Sequence, residues 1–165
     1  MTICRATPGD APGLARVRVA AIATTGAWYD DGQRAAWAGL CAAEDLARAV
    51  TAGTQTIWLA KDAGAVVGVA AFGTEVVWGV YVAPGYGRLG IGSELLRTGI
   101  THLPPCIWRV MATRNAVPFY ARNGFVQYRD EMLSLDATDE RQAVSFPTAA
   151  MLCSPASNSA VPKSG

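Results

Sequence analysis

The run from Val80 to Leu96, Val-Tyr-Val-Ala-Pro-Gly-Tyr-Gly-Arg-Leu-Gly-Ile-Gly-Ser-Glu-Leu-Leu, leaves the backbone few paths. Val80, Tyr81 and Val82 favour an extended chain, and Pro84 stops the ladder. Leu95, Leu96, Ile100 and Leu103 then recur at helical spacing. Between strand and helix lie Gly85, Gly87, Gly90 and Gly92, which permit close backbone approach. A glycine-rich turn opening a helix converges several N–H groups on one point, so the expected guest is an anion, and phosphate in particular.

Three phosphate-binding patterns compete for this turn. A P-loop needs Gly-Lys-Ser/Thr, and here Ser93-Glu94 follows the last glycine. Gly85-Tyr-Gly87-Arg-Leu-Gly90 does match the dinucleotide fingerprint. That pattern also needs an acidic residue about 20 positions on for the ribose, and no carboxylate occurs from Leu95 to Arg129. A nicotinamide-dependent oxidoreductase therefore ranks last.

Val82-x-Pro84 followed by Gly90-x-Gly92 resembles the coenzyme A motif of the GNAT acetyltransferase superfamily. Gly87 and Arg88 stand in the reverse of the family's usual Gln/Arg-then-Gly order. A second segment, Asn115-Ala-Val-Pro-Phe119-Tyr120-Ala-Arg-Asn-Gly124-Phe125, is similar to the family's N-A-x-x-F-Y-x-x-x-G-F helix. The resemblance implies an α/β fold of GNAT type: a mixed, mostly antiparallel central sheet flanked by helices, with a splayed parallel strand pair that binds acyl-CoA.

It also implies a site. Acetyl-CoA as co-substrate would be held by Val80, Tyr81, Val82, Gly87, Arg88, Leu89, Gly90, Ile91, Gly92, Ser93, Asn115 and Tyr120. Tyr120 would protonate the departing thiolate, since a phenol keeps its proton at neutral pH; the alternative is a tyrosine packed on the sheet. Glu75 would be the base that deprotonates the amine, or an exposed strand-edge residue. Tyr29, Gln33 and Trp37 would line the acceptor side, although a helical stripe of core aromatics explains the same spacing. Asn115 could equally cap its helix, and Asp30 and Asp31 would either recognise a cationic amine or cap theirs. The activity implied is N-acetyl transfer to a primary amine by direct attack in a ternary complex. A non-catalytic acyl-CoA-binding module is the alternative.

Composition limits partners more than chemistry. A net charge of +1 over 165 residues argues against bulk electrostatic binding of nucleic acid or an anionic membrane. Charge is nevertheless uneven: Arg88, Arg97, Arg109, Arg114, Arg122 and Arg129 face only Glu94 in their stretch, which suits a phosphate-rich ligand. Expected acceptors are a small-molecule amine or a peptide N-terminus or lysine, with a homodimer left open. Cys4, Cys41, Cys106 and Cys153 are too scattered for zinc, so no metal is expected and reduced thiols in a cytoplasmic protein are. His102, the one histidine, closes a helix where the dipole favours it.

The remaining pattern predicts one domain over residues 1–153 and a loose tail over 154–165. Strands are expected at Ile3 to Ala6, Thr56 to Asp62, Val66 to Phe72, Glu75 to Val82, Ile107 to Ala112 (central and well covered), Val126 to Leu135 and Ala143 to Leu152. Helices are expected at Asp10 to Ala23, around Tyr29 to Trp37, and at Glu44 to Ala52, Gly90 to His102 and Val117 to Asn123.

Overall fold

The computed structural model describes residues 1–135 and 144–155. Most of the expected tail lies outside them. In chain order the elements are β1 (Thr2–Arg5), α1 (Ala11–Ala23), α2 (Asp31–Gly39), α3 (Ala43–Ala52), β2 (Thr56–Asp62), β3 (Ala65–Phe72), β4 (Val77–Val82), α4 (Ile91–His102), β5 (Trp108–Thr113), α5 (Val117–Arg122), β6 (Val126–Leu135) and β7 (Val144–Cys153). The strands form two antiparallel sheets, in the orders β1-β2-β3-β4 and β5-β7-β6. Among the described residues a single parallel bridge, Val76 to Arg109, joins them. Below it β4 and β5 run apart, as expected of a splayed pair.

Two apolar clusters clamp the first sheet. Leu14, Val17 and Leu46 from α1 and α3 meet Leu59 and Val69 on one face, while Leu95, Leu96 and Ile91 of α4 meet Phe72, Trp108 and Phe125 on the other. Each fully buried aliphatic side chain contributes roughly 1.5–3 kcal/mol. Helix α4 lies very close to the sheet. A Cβ at Gly99 would fall 2.1 Å from the Phe72 ring, and one at Gly68 would fall 2.8 Å from Leu95. Because only glycine fits at these crossings, the axis of α4 is fixed and its N-terminus is aimed at the end of β4.

The structure corrects two expectations. Glu75 is not in β4: it occupies an exposed turn with φ of 60°, and β4 begins at Val77. Strand β5 is covered on one face rather than both, with Trp108, Val110 and Ala112 buried and Arg109 and Met111 exposed. Asp10 stands at the head of α1 as expected, and its carboxylate accepts from the Thr7 N–H (2.8 Å) and hydroxyl (2.7 Å) and pairs with Lys61 at 2.8 Å. Those partners, the Lys61 hydrogen bond first, hold its pKa down at about 2.

The β2–β3 hairpin carries local strain. Its two central turn residues, Ala63 and Gly64, have φ of 44° and 83°. A turn with both centres left-handed prefers Asn-Gly, whereas alanine is penalised there by its Cβ. Ala63→Asn should raise stability by about 0.5–1 kcal/mol, read as a higher denaturation midpoint at unchanged slope.

Candidate active site between the diverging strands

Where β4 and β5 separate they leave a cavity of about 730 Å³, entered between the α4 N-terminus, α5 and the end of α1. Each wall has a local cause. Gly90 precedes α4 with φ of 77°, and a Cβ built there would meet no protein atom. The first helical bond of α4 runs from the Glu94 N–H to the Gly90 carbonyl, 3.0 Å. The Ile91, Gly92 and Ser93 amides are thus left without a backbone acceptor among the described residues, at the positive end of the helix.

The strand wall also presents free backbone. Ala83 donates to the Val67 carbonyl at 2.9 Å, and Tyr81 lies opposite Val69. Antiparallel bonding alternates, so Tyr81 faces β3 while the Val80 and Val82 groups face the gap. Tyr120, on α5, lines the same cavity as Val80 and Val82. Tyr120 is buried, its ring 5.0 Å from Phe119 and 5.4 Å from Phe125 between centroids. Burial is the main cause that pushes its pKa well above 10.0; Tyr81 adds to the shift and the Val80 backbone opposes it. The phenol therefore holds its proton throughout the neutral range.

Of the residues picked from sequence, Val80, Tyr81, Val82, Gly87, Arg88, Gly90, Ile91, Gly92, Ser93, Asn115, Tyr120 and Trp37 line the cavity. Leu89 does not, and is 65% exposed. Arg88 holds φ of 62° while Gly87 needs no positive φ, so their exchange puts an arginine where the turn asks for glycine. Glu75 is outside the lining, and the lining contains no Asp or Glu at all.

Tyr29 and Gln33 are also outside it, for a visible reason. The Tyr29 hydroxyl donates to the Pro147 carbonyl at 2.8 Å and accepts from the Arg114 N–H at 2.9 Å. Gln33 donates to the Ser145 carbonyl at 2.8 Å and completes a capping box with Asp30. Together they tie α2 and the segment before it to β7 and leave Trp37 to face the cavity, its ring centroid 6.2 Å from that of Tyr81. Asn115 is exposed in a single 3-10 turn and does not cap α5, whose N-cap is Ala116.

Several lining residues escaped the sequence reading. Arg122 lies one turn beyond Phe119, and that spacing could have placed it on the cavity face of α5. Ile22, Thr24 and Thr25 close the opposite end from α1 and the loop after it. Among the arginines, Arg97, Arg114 and Arg129 pair with Glu94, Asp130 and Glu131, whereas Arg88 and Arg122 line the cavity and make no ion pair among the described residues. The four cysteines are free thiols. Among the described residues no helix is long and apolar enough to cross a membrane, and no cluster of three or more potential metal ligands occurs.

The family model for the acetyltransferase (GNAT) domain matches residues 23–134. The chain belongs to the GNAT acetyltransferase family. Its fold is similar to that of a GCN5-related N-acetyltransferase from Rhodopseudomonas palustris, at 25% identity over 93% of this chain and 94% of that one, TM-score 0.79. PaiA N-acetyltransferase from Thermoplasma acidophilum, solved with coenzyme A, is 18% identical over 93% and 99% of the two chains, TM-score 0.69. YncA, a putative acetyltransferase from Salmonella typhimurium solved with acetyl-CoA, is 17% identical over 94% of each, TM-score 0.60. No curated protein matches the sequence.

Proposed function

We propose that this protein transfers the acetyl group of acetyl-CoA to a primary amine by direct attack in a ternary complex. One observation carries the reading: free amides at the α4 N-terminus, the unpaired edge of β4 and the buried Tyr120 hydroxyl all face a single cavity. Family membership and the coenzyme A and acetyl-CoA bound to the relatives PaiA and YncA support it. The residues fit such a ligand, because the Gly90 position leaves open space in front of the amides that would take its phosphates.

Acetyl-CoA supplies an activated acetyl group as a thioester. The amides of residues 91–93 bind pyrophosphate with help from the helix dipole, and Arg88 and Arg122 add charge from the cavity rim. The outward backbone of Val80 and Val82 pairs with the amide-bearing arm as an added strand would, and an N–H from this edge faces the thioester oxygen as negative charge grows there. The amine nitrogen loses one proton and the sulfur gains one. Tyr120 gives its proton to the sulfur and regains one through water, so no phenolate accumulates. Since no carboxylate lines the cavity, an ammonium acceptor first gives a proton to water, separately from the one the nitrogen sheds as the amide forms, and Glu75 has no part in this sequence.

Acetyl-CoA should raise the melting temperature where NAD and ATP do not. A ligand at a hundredfold excess over its dissociation constant adds about 2.7 kcal/mol. A shift with NAD and none with acetyl-CoA would reverse the assignment. The lack of a lining carboxylate also suits a module that binds acyl-CoA without turnover. Thiol release with any amine in an acceptor screen rules that module out.

A further inference from the structure

From Pro84 to Gly90 the turn that enters α4 is exposed at every residue except Tyr86, which is half-buried. Gly85 and Gly90 hold φ of 89° and 77°, and Arg88 is strained at 62°. Glycine gains the most backbone freedom on release, and strain at the arginine favours release as well, so such a turn keeps one conformation only if something holds it. Tyr86 supplies the hold. Its ring packs against the cluster that contains Ile91, Leu95 and Phe72, and its N–H donates to the Ala83 carbonyl at 3.0 Å. Its hydroxyl donates to the Asp62 carboxylate at 3.1 Å, a contact between residues 24 apart in sequence.

Asp62 is the last residue of β2, immediately before the left-handed Ala63-Gly64 turn. The adjacent Lys61 is engaged by Asp10 at 2.8 Å. Among the described residues the Asp62 carboxylate has no side-chain hydrogen bond or ion pair besides the one to Tyr86. That bond, with the nearby negative charge, raises the Tyr86 pKa above 10.0, so the phenol donates throughout the neutral range. Tyr86, Gly87, Arg88 and Gly90 line the cavity, whereas Asp62 does not, so the bond reaches the site from outside it. A contact that holds a loop in its binding conformation raises affinity through the fraction of molecules that are competent, because the apparent dissociation constant is the intrinsic one divided by that fraction. We propose that Asp62 and Tyr86 form a latch that sets the affinity for acetyl-CoA: the β2–β3 hairpin holds the turn where Arg88 and the open space before Gly90 meet the ligand's phosphates. Both are positioning residues, and neither exchanges a proton in the reaction. Asp62 acts as a hydrogen-bond acceptor rather than as a charge, since a negative charge is unfavourable toward phosphate. The identity of the ligand rests on the acetyltransferase reading; the hold on the turn does not.

Tyr86→Phe, Asp62→Ala, Asp62→Asn and the double variant Tyr86→Phe/Asp62→Ala test the latch. Phenylalanine keeps the packed ring, and asparagine keeps an oxygen acceptor. Tyr86→Phe and Asp62→Ala should each raise the dissociation constant and KM for acetyl-CoA about 3–10-fold, the worth of one hydrogen bond, while kcat changes by less than about twofold. Asp62→Asn should stay near wild type, and the double variant should bind no worse than the weaker single variant. Limited trypsin digestion reads the turn itself, because the Arg88-Leu89 bond is a cleavage site within it. Without ligand, cleavage there should be faster by a similar factor in Tyr86→Phe and Asp62→Ala than in wild type and Asp62→Asn, and saturating acetyl-CoA should protect the bond in every variant. An ordinary stabilising bond would instead lower the melting temperature and leave both affinity and cleavage at Arg88 as they are. That outcome, a loss in Asp62→Asn equal to the loss in Asp62→Ala, or additive losses in the double variant would each overturn the latch. If wild type binds no acetyl-CoA, that failure belongs to the acetyltransferase reading, and the cleavage rates at Arg88 then decide the latch by themselves.

Discussion

Replacing Tyr120 with phenylalanine should slow thiol release by about 10²–10⁴-fold while leaving acetyl-CoA affinity nearly unchanged, the usual signature of a lost general acid. The substitution removes one oxygen and keeps the ring that packs on Phe119 and Phe125. The pH dependence gives a second check. Burial raises the phenol pKa above 10.0, so the hydroxyl stays protonated and competent over neutral and mildly alkaline pH. The wild-type rate should then climb with pH as the acceptor amine deprotonates, with no alkaline fall from Tyr120 below about pH 10. Full activity in Tyr120→Phe would remove the phenol from the mechanism. Loss of binding together with rate would make its role one of packing.

Legibility followed the range of the interactions. The α4 end of the cavity was readable because its determinants are local: the glycines that free the α4 amides and the Phe119-Tyr120 pair each act within a few residues of their own sequence. The end toward α1 and α2 was not. Tyr29, Gln33 and Trp37 share one spacing, yet the first two bond to Pro147 and Ser145 on β7, across the whole chain. Spacing of four assigns residues to one face of a helix and is silent on what that face meets. Glu75 was misplaced because nothing about a glutamate announces a left-handed turn, which the tertiary fold imposes. The buried stripe of α1 includes Arg18, four residues from both Leu14 and Ile22. A lone arginine among buried positions was the available signal for it.

Gly90→Val should abolish acetyl-CoA binding in a domain that still folds. At φ of 77° a β-branched residue is strained by roughly 1–3 kcal/mol, yet its Cβ would touch no protein atom. The neighbouring core offers no clash, so the damage is confined to the turn and to whatever occupies the space before it. If phosphates lie there, the added side chain both blocks them and rotates the 91–93 amides away, and the acetyl-CoA melting shift should vanish. Gly87→Ala is the control, since Gly87 has no positive φ and its Cβ also meets open space. That variant should keep most of the shift, because it adds one methyl group without turning any amide. Equal losses in the two variants would mean that bulk at the rim, rather than the backbone at Gly90, governs binding. An unchanged shift in Gly90→Val would move the phosphates off the α4 N-terminus altogether.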